Sequence, residues 1–151
     1  MEALVQLRGE VDMTGSIEDT LEMLNLGRVN HATVVPETDA YEGMIAVVND
    51  YVAHGEPSAD VLGEVIERRG EPTDADSVEA ALEAAGYDDA QAAAEALLAE
   101  EITLDELGLE PTLRLHPPRG GHEGIKQPIP EGGQLGPIDT DRMDDLLEAM
   151  R

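Results

Sequence analysis

The residues able to do chemistry gather in one stretch of the chain. Between Pro111 and Gly136 stand Arg114, Arg119 and Lys126, the histidines His116 and His122, and the pair Gly120-Gly121, among five prolines and six glycines. Arginine forks grip phosphate oxygens two at a time. Paired glycines let backbone amides approach an anion closely. Prolines hold an extended arm stiff, so it loses less entropy on docking. With Glu123 and Glu131 against its three bases, this stretch is net +1. Residues 1–55 carry 10 acids and 2 bases, and residues 56–110 carry 17 acids against Arg68 and Arg69. The island of bases therefore fits a polyanion. The plain alternative is a solvated loop, but an irregular segment longer than about 15 residues in a compact chain is commonly functional.

Other chemistries find little support. His116 and His122 stand six apart in a Pro/Gly loop without a clear third metal ligand. Asp74, Asp76 and Glu79 open like a calcium loop, yet the required glycine is Glu79 and the twelfth position is Ala85. No phosphate-binding GxxxxGK[ST], GxGxxG or GxSxG pattern occurs. There are no cysteines, which removes disulfides, thiolate zinc sites and a thiol nucleophile. His31 and His54 read as structural or ligand-edge residues rather than catalytic bases. Tyr41, Tyr51 and Tyr87 are too few for a base-stacking platform. The sequence predicts a binding protein without catalysis or cofactor.

The charge sets the setting. Thirty-four acids face nine Lys plus Arg, a net of −25 in 151 residues with no Phe or Trp. At such charge the compact state repels itself. In about 1 M salt the Debye length falls to about 3 Å and the repulsion is muted. The composition reads as a salt-adapted protein of the cytoplasm. No run of 18 apolar residues and no secretory leader is visible. Molar salt also removes most of the counterion-release contribution to nucleic-acid affinity. Binding must then rest on shape and a few well-placed hydrogen bonds.

Three regimes must position these residues. In residues 1–55, Ala3–Leu7 reads as a strand, Ser16 with Asp19 as a helix start, and Gly27 as its stop. Ala32–Val35 is a second strand, Asp39 with Glu42 opens a second helix, and Tyr51–His54 before Gly55 fits a third strand. This strand–helix–strand–helix–strand order suits an α+β sandwich with both helices on one face. Residues 56–110 form an acidic helical lobe, with short helices opening at Ser58, Ser77, Asp89 and Thr103. Residues 111–151 hold a strand at Thr112–Leu115, the extended segment, and a last helix capped near Thr140. That helix carries Met143, Leu146, Leu147 and Met150 as a docking stripe.

At this point the chain resembles the large-subunit ribosomal protein family numbered thirty in bacteria and archaea and seven in eukaryotes, of halophilic archaeal type. Thr20-Leu21, Leu24, Leu26, Arg28, His31 and Thr33, followed by Met44-Ile45, Val48 and Tyr51-Val52, look like the short bacterial member. Pro118-Arg119-Gly120-Gly121, Lys126, Glu131-Gly132-Gly133, Gly136 and Asp144-Asp145-Leu146-Leu147 look like the archaeal and eukaryotic tail. The resemblance implies a ferredoxin-like core, contact with 23S rRNA and with 5S rRNA nearby, and ribosomal protein neighbours. It implies Arg28 and His31 as contacts at the first helix–strand turn. Arg114, His116, Arg119, Gly120, Gly121, His122 and Lys126 become the tail grip. Glu42 and Gln127-Pro128-Ile129 depart from the family by being less basic. The rival reading is a free acidic protein that mimics nucleic acid or binds a basic partner.

Overall fold

The computed structural model describes residues 1–9, 13–119, 121 and 133–151. Strand β1 (Glu2–Gln6) leads into α1 (Gly15–Met23), β2 (His31–Val35), α2 (Asp39–Val48) and β3 (Val52–Gly55). Helices α3 (Ala59–Arg69), α4 (Val78–Ala84) and α5 (Ala90–Leu98) follow. The two-residue strands β4 (Leu113–Arg114) and β5 (Gly136–Pro137) precede the last helix, α6 (Thr140–Met150). The sheet order is β4-β2-β1-β3-β5. Among the described residues the pairings are antiparallel except the parallel β3–β5 edge.

Strand β1 is apolar at consecutive positions because both of its faces are covered. Leu4 joins Val35 and Val52 beneath Leu21 and Leu24 of the α1 end and Ile45 and Val48 of α2. Ala3 and Val5 point the other way, with Ala53, onto Leu62 and Ile66 of α3, Leu97 of α5 and Met143 and Leu147 of α6. The expected pair of helices on one face is present, and a second helical layer lies opposite. Residues 56–110 share this second core rather than an interior of their own. The alanine-rich stretch serves that packing: Ala93 and Ala94 are fully buried. Gly63 lets α5 come close, since a Cβ there would sit 3.2 Å from the Gln91 backbone.

Among the described residues six helices begin on a side-chain cap, as the physics of unpaired first-turn amides requires. Ser58, Ser77 and Asp89 cap as expected. Three caps differ from the sequence reading. Thr14, not Ser16, accepts from the Ile17 amide. Thr38 and Asp139, each one residue earlier than expected, cap α2 and α6. Asn25, at φ 61°, takes the left-handed position after α1 that had been expected of Gly27. Thr103 opens a single turn rather than a helix: its hydroxyl accepts from the Glu106 amide, and Gly108 at φ 78° ends the turn. Strand β5 starts on Gly136, the last residue of the Pro/Gly-rich stretch, and takes in the proline that follows it. Proline is tolerated there because the strand is an edge.

Candidate nucleic-acid interface

Gln6 organises one end of the sheet. Its side chain is fully buried, yet both amide atoms are satisfied. Nε2 donates to the Arg8 carbonyl at 2.9 Å, and Oε1 accepts from the Gly27 amide at 2.8 Å. The Gln6 carbonyl accepts from Asn30 N–H at 2.9 Å. One residue thus ties the turn after β1 to the turn before β2, which carries Arg28. Sequence reasoning singled out neither Gln6 nor Arg8. A lone glutamine in an apolar strand run was the available signal for the first. Arg8 lies over the Tyr51 ring at 4.7 Å and donates to the Asp50 carbonyl.

Three of the expected contacts come together here. His31 stands opposite Arg114 across the β2–β4 ladder. Arg28 is close enough that, with burial and Arg114, it holds the His31 imidazole below its ordinary value of 6.5. Burial is the largest cause, Arg114 the next, and Glu71 opposes both. Arg114 donates to Glu71 through Nη1 while staying exposed. A guanidinium has five N–H donors, so others stay available for a phosphate. Leu113 and Leu115 turn inward into the core, and that alternation turns Arg114 outward.

The chain then runs along the end of α6. The His116 amide donates to the Met150 carbonyl at 2.8 Å, and the Arg119 amide to the Ala149 carbonyl at 3.0 Å. These bonds satisfy carbonyls that a helix C-terminus leaves without partners, and they leave the His116 and Arg119 side chains exposed. His116 Nδ1 lies 2.6 Å from the Pro117 carbonyl. Gly121 is exposed at φ 79°, where L side chains are strained. Gly120, His122 and Lys126 lie outside the described residues. Among the described residues no group of three His, Asp or Glu could hold a metal ion. No described helix is long and apolar enough to cross a membrane.

The geometry defines an α+β protein whose two-layered helices wrap a mixed sheet, with a sparse set of arginines at the sheet end where β1 leaves and β2 begins. Residues 3–52 match the family model described as Ribosomal protein L30p/L7e. The large ribosomal subunit protein uL30 of Natronomonas pharaonis is 62% identical over 155 residues, covering all of both chains. That of Haloarcula marismortui is also 62% identical, over 154 residues and the whole of both chains. That of Methanothrix thermoacetophila is 43% identical over 153 residues, again end to end. The chain belongs to the uL30 family of large ribosomal subunit proteins.

Proposed function

We propose that this chain is a structural constituent of the large ribosomal subunit that holds 23S rRNA, beside 5S rRNA and neighbouring ribosomal proteins, and catalyses nothing. The end-to-end relationship to uL30 proteins is the observation that carries this reading. The grouping of Arg28, His31 and Arg114, with His116 and Arg119 further along, supports a contact surface at that end of the sheet. Gly120, Gly121, His122 and Lys126 continue the grip on the resemblance alone. The rival free acidic protein would put function in residues 56–110. Their apolar side chains instead face the sheet as core.

Sedimentation of a salt-stable lysate through a high-salt gradient tests the assignment. The protein should travel with large subunits, and a protein left at the top of the gradient contradicts it. Within that assay, Arg119→Glu should impair incorporation about tenfold or more, because it replaces a phosphate partner with a repelling charge. Glu83→Lys on α4 should leave incorporation within about twofold. Equal effects would overturn the tail grip.

His31 supplies a second readout. Because folding lowers its affinity for a proton, the unfolded chain binds more protons just below pH 6.5, and stability falls as pH drops through that range. A phosphate beside the ring would stabilise the imidazolium and raise its midpoint. Binding of large-subunit rRNA fragments should therefore tighten as pH falls from 7 through the His31 titration. An NMR titration of the ring with and without RNA checks both signs. A midpoint that RNA leaves unmoved removes His31 from the interface.

A further inference from the structure

Among the described residues, the outer edge of β2 is covered for only half its length. The His54 carbonyl accepts from Ile138 N–H, so His54 faces away from β1 and its partner Leu4 faces β2. Leu4 therefore bonds with Thr33, and the alternation of the ladder turns the N–H and C=O of Ala32 and Val34 outward. Ala32 meets Leu113 of β4. Two residues on, Val34 would meet Pro111, which has no N–H to give. The Pro111 carbonyl is already taken by the Thr33 hydroxyl at 2.7 Å. Val34 is left with both main-chain groups unpaired among the described residues.

Short free edges are common and by themselves signify little. This one has a built floor. A cleft of about 240 Å³ runs beside it, lined by Leu24, Val34, Pro36, Tyr41, Leu104 and Pro111. Its rim is acidic: Asp105 lines it, and Glu37 and Glu100 flank the Met1 ammonium at 3.7 and 3.5 Å while staying 48% and 37% exposed. Three carboxylates against one ammonium leave the rim anionic. A phosphate chain is repelled there and cannot add to a β-ladder. An extended polypeptide with Arg or Lys side chains satisfies every feature at once. Its main chain pairs with Val34, alternate apolar side chains enter the cleft, and the intervening bases meet the rim. Charges in direct contact keep much of their interaction even where the Debye length is about 3 Å.

We propose that the Thr33–Val35 edge accepts an extended, basic segment of a neighbouring protein as an added strand. This rests on the ribosomal reading above, which supplies the neighbours. Asp105, exposed at the rim, is replaced by the photo-crosslinker p-benzoylphenylalanine in the full chain, and large subunits that have incorporated it are purified and irradiated. The expected product joins Asp105's position to a protein stretch bearing Arg or Lys. Hydrogen exchange at the Val34 amide should also be at least tenfold slower in the subunit than in the free chain. With Asp105→Arg that protection should fall about threefold, the loss expected for one exposed ion pair. Crosslinks to rRNA alone, to an acidic stretch or to nothing overturn the proposal, as does unchanged Val34 exchange. Each of those outcomes is read in subunits that contain the protein, so the ribosomal reading stands or falls separately on sedimentation.

Discussion

Replacing Gln6 by Leu should destabilise the folded chain by about 2–4 kcal/mol, because the Gly27 amide and the Arg8 carbonyl each lose a partner at a site screened from water. Leucine fills a similar volume, so the loss reports hydrogen bonding rather than a cavity. The affected turns are the ones that carry Arg8 and Arg28. The variant should therefore weaken rRNA binding even under conditions where it is fully folded. Gln6→Glu separates the two bonds. It keeps an acceptor for Gly27 N–H but sets a carboxylate against the Arg8 carbonyl, and burial raises the pKa of that new group. A group whose folded pKa is raised withdraws stability as pH rises above the unfolded value, about 4.3 for Glu. Gln6→Glu should consequently approach the parent's stability near pH 4 and fall away towards pH 7. Denaturant unfolding in molar salt at the two pH values measures this. A Gln6→Leu variant as stable as the parent would show that the amide holds nothing.

What could be read from the sequence followed from whether local physics decides an element. The stripe Met143, Leu146, Leu147 and Met150 has one solution, a helix with that face buried, and all four are buried. Ser58, Ser77 and Asp89 announced their helices because the cap is chosen by the amides three residues on. Thr103 has the same chemistry but only one turn of chain before Gly108, and nucleating a helix costs more than one turn returns. Strand β5 was invisible for the opposite reason. Gly136 and Pro137 have no strand propensity, and only tertiary contact places them beside Ala53 and His54. Gly55 makes that contact possible, since any Cβ there would collide with the Ile138 carbonyl. The second helical layer was written in Ala3, Val5 and Ala53, which are apolar where a one-sided sheet would be polar. For the candidate site, Arg114 stands more than eighty residues along the chain from the neighbours Arg28 and His31. Their proximity depends on the β2–β4 register, which no local pattern encodes.

Salt removal should unfold this protein outright. With a net charge of −25 on a compact body of roughly 20 Å radius, lowering salt from about 1 M to about 0.1 M raises self-repulsion by on the order of 10 kcal/mol, the size of a whole domain's stability. Only a few acids escape through pairing. Among the described residues the ion pairs with full cations take up Glu37, Glu64, Glu71 and Glu100, while Glu2 faces the His54 ring. The strain is uneven. Glu67, Glu79, Glu83, Asp88 and Asp89 line one crevice where α3, α4 and α5 meet, and none of these takes part in a described ion pair. That junction should open first, since α4 is only seven residues long and contributes little apolar area to hold itself down. Hydrogen exchange on stepwise dilution should show α4 and α5 losing protection at a higher salt concentration than β1 and β2. Substituting Glu79→Gln and Glu83→Gln together should move the midpoint of the salt-dependent unfolding to lower salt, whereas Glu18→Gln with Glu22→Gln, the same loss of charge outside the crevice on α1, should move it less. Equal shifts would mean that net charge alone governs folding, with no weight carried by where the charges sit.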